Sequence, residues 1–263
     1  MITARSGWLF RNTAIAAIVN LMRVTDVGVV IHERAAAPGA AFSPVEAVVF
    51  DLDGTLADTM TLAPRAYADT IRCLGGPEVS PGEVVAAWNI GPTPVVLEHF
   101  LGRAVTSQDI ERYYGNFESV IAAARPFPGI PGMLGSLRQQ GYRLGVFTHA
   151  TRRAAAATLA ATGLDQFRFA LVSGEEIAEP KPSPEGLRLA CQRIDVTPCA
   201  AAYVGDAGVD LQCAAAAGSL GIHARWGAAA AEVAVPHLVA LRPDDVTAIL
   251  ATPRPVGSGD PTP

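Results

Sequence analysis

The feature that most constrains the fold is a short apolar run that leads directly into two acidic residues and a glycine. Residues 48–50 (VVF) precede residues 51–55 (DLDGT). This pattern is typical of a buried strand that ends at a turn carrying carboxylates. Because side chains alternate along an extended chain, Asp51 and Asp53 are predicted to point to the same side.

Two neighbouring carboxylates need a compensating charge. At a separation of about 4 Å and an effective dielectric constant near 20, they repel by about 4 kcal/mol. A bound cation or a proton removes this repulsion. The pattern therefore indicates a metal site, a protonated acid, or both, and the simple alternative is a solvated surface turn that happens to contain both acids.

The segment from Val45 to Thr59 resembles the first motif of the haloacid dehalogenase-like (HAD) hydrolase superfamily. In that family the first aspartate takes up the phosphoryl group, and the second is the general acid and base. The resemblance implies these catalytic roles for Asp51 and Asp53. It also implies that Gly54 and Thr55 belong to the substrate-binding site.

Two further segments resemble the second and third HAD motifs. Val146–His149 (VFTH) ends in a hydroxyl that can donate to a phosphoryl oxygen without adding charge. His149 stands where the family commonly has Asn, and it adds a donor that titrates. Lys181, the single lysine of the chain, lies between prolines that fix its backbone. The resemblance implies catalytic roles for Thr148 and Lys181, and substrate binding by both together with His149.

Residues 203–210 (YVGDAGVD) resemble the fourth HAD motif. Asp206 and Asp210 are four residues apart and meet on one side of the helix that begins there. The resemblance implies that both, with Asp51 and the backbone carbonyl of Asp53, form a metal site. Oxygen ligands of this kind suit Mg²⁺. Ala207 replaces the Ser or Thr of a familiar form of this motif.

The distribution of apolar residues predicts an α/β core with an inserted all-helical cap. Helical spacing prevails from residue 59 to about residue 124, whereas strand-like runs alternate with helices beyond residue 129. Uniformly apolar strands that alternate with helices favour a doubly wound, Rossmann-like parallel sheet. The predicted strands are Tyr142–Phe147, Phe169–Val172, Tyr203–Gly205 and Leu220–Ile222.

The expected domain organisation follows from these patterns. Residues 45–58 and 126–250 form the core, and residues 59–125 form the cap. Residues 1–44 form an N-terminal extension that is either a helix packed on the core or poorly ordered, although the apolar run at Thr13–Met22 is faintly like a signal sequence. Residues 251–263 are rich in Pro, Gly and Ser and form a disordered tail.

Composition narrows the class of partner. A net charge of −5 gives no electrostatic support for binding nucleic acid. The apolar run near the N-terminus is too short to span a bilayer. The four cysteines show no paired spacing, which favours a reduced cytoplasmic protein. We expect a monomer or a homodimer.

The inserted helical cap resembles that of the phosphoglycolate phosphatase and β-phosphoglucomutase branch. It implies a magnesium-dependent phosphatase that hydrolyses a small phosphorylated metabolite, phosphoglycolate or a sugar phosphate, through an aspartyl-phosphate. A sugar-phosphate mutase and a non-catalytic interaction protein remain alternatives. No spacing selects the substrate-binding residues of the cap. The candidates are Arg65, Arg72, Arg103, Arg112 and Arg125 as anion partners and Tyr67, Trp88 and Tyr113 as walls.

Overall fold

The computed structural model of the chain describes residues 44–227, 235 and 237–252, together with the backbone of Leu21–Val24 and Val30–Glu33. Strands β1 and β2 form an antiparallel pair. The other strands form one parallel sheet in the order β5-β4-β3-β6-β7-β8. The strands are β1 (Leu21–Val24), β2 (Val30–Glu33), β3 (Ala47–Phe50), β4 (Arg143–Phe147), β5 (Ala170–Val172), β6 (Ala201–Gly205), β7 (Leu220–Ala224) and β8 (Leu238–Ala240).

Helices cover the sheet on both faces. Every residue of β3 is buried. Phe50 packs in one core cluster with Met133, whereas Val49 packs in another with Leu187. The alternation of side chains along β3 thus supplies two cores, and the predicted doubly wound α/β fold is confirmed. The described helices are α1 (Ala63–Cys73), α2 (Pro81–Ala87), α3 (Thr93–Leu101), α4 (Ser107–Ile121), α5 (Ile130–Gln139), α6 (Arg152–Ala161), α7 (Glu185–Arg193), α8 (Gly208–Ala217) and α9 (Pro243–Ala251).

Helices α1 to α4 lie between β3 and β4 and pack around a core of their own. This core includes Tyr67, Leu97, Tyr113 and Phe117. Capping boxes begin α2 and α4, in which a hydroxyl accepts from a backbone N–H and an acid of the first turn accepts in return. The inserted helical cap is therefore present, and the limits of residues 59–125 stay a prediction.

The cap contacts the core through α4 and α6. The Tyr114 hydroxyl lies 2.7 Å from Thr151 Oγ1, at the residue that caps α6. Arg153 lies over the Tyr114 ring and forms ion pairs with Glu111 and Glu118. Both pairs are exposed, so each contributes little to stability. The contacts of Tyr114 with Thr151 and Arg153 join α4 of the cap to α6 of the core.

Some elements differ from the sequence-based expectation. The β1–β2 pair and the β8–α9 unit were not predicted, because strands of three or four residues carry too little periodicity to be recognised. The remaining predictions for residues 1–43 and for residues 253–263 lie outside the described residues. Within the described part of the chain, no helix has the length and apolar character required to cross a membrane.

Candidate active site

The acidic residues of the first and fourth motifs converge at one edge of the sheet. Asp51 follows β3 and Asp206 follows β6, while Asp210 lies in the first turn of α8. Because neighbouring parallel strands end at the same edge, their C-terminal residues meet there. One carboxylate oxygen from each of these acids lies within 4.8 Å of the others, and all three residues are buried.

Lys181 joins two of the acids. Its ammonium donates to Asp51 Oδ1 at 2.5 Å and to Asp210 Oδ1 at 2.8 Å. It also lies 4.9 Å from the centroid of the Phe147 ring. Burial alone would lower the pKa of Lys181, but the carboxylates of Asp210 and Asp51 outweigh it and raise that pKa above its usual value. The side chain is therefore a fixed cation inside the site.

Asp210 is held by three donors. Besides Lys181, the Tyr203 hydroxyl donates to Oδ1 at 3.2 Å, and the backbone N–H of Ala207 donates to Oδ2 at 3.1 Å. The last bond satisfies an otherwise unpaired N–H at the beginning of α8. Asp210 thus fixes the start of the helix and receives the lysine at the same time.

Gly54 and Thr55 lie against Asp206. The Thr55 hydroxyl donates to Asp206 Oδ1 at 2.9 Å. Gly54 has φ +83°, and a Cβ added there would lie 2.7 Å from Asp206 Oδ2. A glycine is therefore required at residue 54 for backbone geometry and for space. Neither residue is among the described lining residues of the cavity, so their contact with substrate stays a prediction.

Asp53 lies outside the cluster of three acids and faces the cavity. Its Oδ1 accepts a hydrogen bond from the Thr59 hydroxyl at 2.6 Å. Burial raises the pKa of Asp53 above its ordinary value, while the Thr59 bond and Lys181 oppose the rise. A carboxyl group in this setting can hold a proton and release it, which suits acid–base chemistry.

Lys181 alone does not balance the negative charges of the three clustered acids. Burial, opposed by Lys181 and reinforced by Asp210 and Asp206, raises the pKa of Asp51 well above its usual range. Burial and the Asp210 carboxylate also raise the pKa of Asp206 to about 6. A divalent cation among these oxygen ligands would reduce the repulsion between the carboxylates. Carboxylate oxygens are the ligands that hard cations prefer.

A cavity of about 450 Å³ lies between the cap and the core. The core lines it with acids, Thr148, His149 and Lys181, and the cap lines it with Tyr67, Trp88 and Tyr113. The predicted cap walls therefore face the acids. None of the five cap arginines is among the described residues that line this cavity, so their predicted contact with the substrate anion has no support here.

His149 faces the cavity and also holds the lysine segment. Its ring Nε2 accepts a hydrogen bond from the backbone N–H of Lys181 at 2.9 Å. Burial and the Lys181 charge lower the pKa of His149 to about 4. The ring is therefore neutral at pH 7, and the acceptor role of Nε2 is available. The predicted contact with substrate stays a prediction, whereas this positioning contact was not foreseen.

We expect His149→Leu to lower kcat/KM about tenfold, because it leaves the buried N–H of Lys181 without an acceptor. His149→Gln can present an oxygen near the former Nε2 and is expected to stay within about threefold of the wild type. Steady-state hydrolysis of a generic phosphate ester measures both. Equal loss in the two variants would show that the acceptor is not what matters.

Sequence reasoning missed two residues that contact the acids. Thr59 belongs to the first motif, and a hydroxyl six residues after Asp53 was the available signal. Tyr203 is buried on β6 and reaches both Asp210 and the Phe147 carbonyl. A tyrosine inside an otherwise apolar strand was its only signal, because a buried phenol normally finds a hydrogen-bond partner.

Comparison with known proteins agrees with this geometry. The family model described as haloacid dehalogenase-like hydrolase matches residues 48–222. A phosphoglycolate phosphatase of Cupriavidus necator is 36% identical over 184 residues, 66% of this chain and 78% of that protein. An N-acetylmuramic acid 6-phosphate phosphatase of Pseudomonas aeruginosa is 30% identical over 191 residues, 70% and 83% of the two chains.

A solved structure supports the same assignment. CbbY from Rhodobacter sphaeroides, determined in complex with phosphate, superimposes with a TM-score of 0.61 at 27% identity. The match covers 68% of this chain and 86% of that one. The family model spans the cap and the sheet from β3 into β7, and this range contains the acids at the sheet edge. The chain therefore belongs to the haloacid dehalogenase-like hydrolases.

Proposed function

We propose that the protein is a magnesium-dependent phosphatase that hydrolyses a small phosphorylated metabolite, phosphoglycolate or a sugar phosphate, through an aspartyl-phosphate on Asp51. The observation that carries the proposal is the bridge from Lys181 to Asp51 at 2.5 Å within the cluster of buried acids. The named activities of the curated relatives support hydrolysis of phosphate esters.

Charge favours a divalent ion in this site. Asp51, Asp206 and Asp210 bring three negative charges, a phosphate monoester brings nearly two more, and Lys181 returns one. The carboxylates of these acids and the backbone carbonyl of Asp53 would hold Mg²⁺. When bound, the ion supplies positive charge beside the phosphoryl oxygens and lowers the repulsion between phosphate and Asp51.

The first step is the attack of Asp51 on phosphorus. Lys181 holds the attacking carboxylate and offers its charge to an equatorial oxygen. Thr148 lines the cavity, and its hydroxyl oxygen accepts from the Ala150 N–H at 3.1 Å, so its own proton remains for a phosphoryl oxygen. The bond from phosphorus to the ester oxygen breaks as Asp53 gives its proton to the leaving alcohol.

The second step hydrolyses the aspartyl-phosphate and regenerates the free enzyme. Asp53, now a carboxylate held by Thr59, takes a proton from water, and the water oxygen bonds to phosphorus. The bond from phosphorus to Asp51 breaks, and phosphate leaves. The raised pKa of Asp53 suits both tasks, because the group must be protonated in one step and accept a proton in the next.

Metal binding and pH are expected to act on stability through Asp206. A pKa raised to about 6 means that the folded state binds this proton more tightly than the unfolded chain. Its stabilising effect is complete below pH 4 and is lost as the pH rises through 6. Asp206→Asn, which remains neutral, should therefore raise the Tm of the magnesium-free protein at pH 7, raise it less at pH 5 and leave it nearly unchanged below pH 4.

The quantity to compare is the difference in Tm between variant and wild type at each pH. The lowered pKa values of His149 and His223 make stability rise with pH, but they do so in both proteins and cancel in this difference. Thermal unfolding with chelator and with Mg²⁺ supplies it. We expect Mg²⁺ to raise the Tm of the wild type more at pH 7 than at pH 5, and to leave Asp206→Asn nearly unchanged. An equal magnesium effect on both proteins would place the metal elsewhere.

Phosphate release from a set of phosphorylated metabolites tests the proposed function. Free phosphate that requires Mg²⁺ supports a phosphatase. An isomerised sugar phosphate would indicate the mutase, and no turnover of any ester, including p-nitrophenyl phosphate, would favour a non-catalytic protein.

We also propose a cytoplasmic monomer or homodimer, in keeping with the buried thiols of Cys191 and Cys213.

A further inference from the structure

The cap side of the cavity carries a group of three hydroxyls. Tyr67 Oη lies 2.8 Å from Thr93 Oγ1, and the rings of Tyr67 and Tyr113 lie 4.6 Å apart. The exposed fractions of these residues are 6%, 4% and 1% for Tyr67, Thr93 and Tyr113. All of them line the cavity that contains the acids. A ligand in this cavity would therefore contact the residues that carry these hydroxyls.

Trp88 lines the same cavity and carries a donor without a partner. Among the described residues, its indole nitrogen is the one buried side-chain nitrogen or oxygen with no hydrogen bond. Buried donors in folded proteins are normally paired, so this N–H is open to an acceptor such as a water or a ligand oxygen. A hydroxyl oxygen is such an acceptor.

The charges around the cavity disfavour a second anion on the substrate. Four acids already line the core side, with Lys181 as their cation. None of the five cap arginines is among the described lining residues, and three make contacts elsewhere: Arg72 pairs with Asp69, Arg103 pairs with Asp109, and Arg125 donates to backbone carbonyls. A carboxylate on the leaving group would be buried near Asp53 without a counter-charge.

We propose that Tyr67, Trp88, Thr93 and Tyr113 form a subsite for the leaving group, and that this subsite takes an uncharged carbon skeleton bearing several hydroxyls, such as a monosaccharide. The proposal rests on the proposed phosphatase function and selects between its two substrate classes. The aromatic faces pack on the C–H surface of the skeleton, while the indole N–H and the tyrosine and threonine hydroxyls bond its oxygens.

The subsite shares its cavity with Asp53, the proposed proton donor. Burial raises the pKa of Tyr67 to about 12, and the Asp53 carboxylate contributes to the rise. Tyr67 therefore stays protonated at any physiological pH, and it lines the same cavity as Asp53. A leaving group held by Tyr67 would present its ester oxygen to Asp53, which links specificity to proton transfer.

The test compares kcat/KM for phosphoglycolate, ribose 5-phosphate, glucose 6-phosphate and p-nitrophenyl phosphate, with Mg²⁺ present. The nitrophenyl ester reports the core chemistry without hydroxyl contacts in the subsite, because its leaving group carries no other hydroxyls. We expect a sugar phosphate to exceed phosphoglycolate by about tenfold or more. Tyr67→Phe and Trp88→Phe should each lower kcat/KM for that sugar phosphate about tenfold relative to the nitrophenyl ester.

Tyr114→Phe is the matched control, because Tyr114 is a buried cap tyrosine whose hydroxyl bonds a threonine outside the cavity lining. It should leave the ratio between the two esters unchanged. The subsite is overturned if phosphoglycolate equals or exceeds both sugar phosphates, or if the variants lower all esters equally. Absence of hydrolysis of all four esters would instead refute the proposed function, so the two failures are distinguishable.

Discussion

Asp51→Asn is expected to reduce phosphate release by about 10⁴-fold or more while the protein stays folded, because loss of a nucleophile removes the covalent route itself. The amide has the shape of the carboxylate but cannot attack phosphorus. Lys181 keeps its bond to Asp210 at 2.8 Å, so the buried cation remains paired. Cooperative thermal unfolding should persist near the wild-type temperature.

The measurement is initial-rate release of phosphate from p-nitrophenyl phosphate, paired with thermal unfolding of the same sample. Thr55→Val is a suitable control, because it removes a hydroxyl that supports Asp206 but leaves the nucleophile. We expect that control to raise the Mg²⁺ concentration needed for half-maximal activity and to retain measurable turnover. Turnover by Asp51→Asn within about tenfold of the wild type would show that another group attacks phosphorus.

Lys181→Met is expected to lose both stability and activity. The substitution removes a cation that is 5% exposed and paired with two buried carboxylates. Breaking such a buried pair costs about 3–5 kcal/mol, because the remaining charges are left uncompensated. Loss of its contact with the phosphoryl group should lower kcat by about 10²–10³-fold.

Chemical denaturation with chelator and with Mg²⁺ measures the stability part. We expect Mg²⁺ to restore some of the lost free energy of unfolding, since the ion supplies positive charge among the same oxygens. Lys181→Arg is the control: it keeps a charge but fits the site poorly. It should recover stability better than activity. If Lys181→Met is as stable as the wild type without metal, the buried ion pairs are not what holds the acids together.

The convergence of the site followed from the sequence, because each motif places a polar residue at the end of an apolar strand. Parallel strands bring such ends together, so Asp51, Thr148 and Asp206 had to meet once the βα alternation was recognised. Lys181 could be assigned because it is the single lysine and its segment resembles the third motif. These predictions depend on the order of motifs and strands along the chain, which can be read from the sequence.

Other parts of the site depend on contacts between distant segments, which a sequence does not display. The bond from the Lys181 backbone to His149 joins two loops 32 residues apart. Which cap arginines and aromatic residues line the cavity depends on how α1 and α4 pack together. Helical spacing in the sequence does not distinguish residues of the cap core from residues that line the cavity. The edge strand β8 is too short for any periodicity to indicate it.

The central claim is that a phosphoryl group passes through Asp51. Acid quenching of Asp53→Asn during reaction with p-nitrophenyl phosphate, followed by mass spectrometry of its peptides, tests it most directly. This ester needs little help from an acid to leave, whereas release from Asp51 needs the missing base, so the intermediate should accumulate. We expect a base-labile phosphoryl group on the peptide containing Asp51, dependent on Mg²⁺ and absent when Asp51 is also replaced by Asn. Turnover with no phosphoryl group on that peptide, or with one on another residue, would contradict the claim.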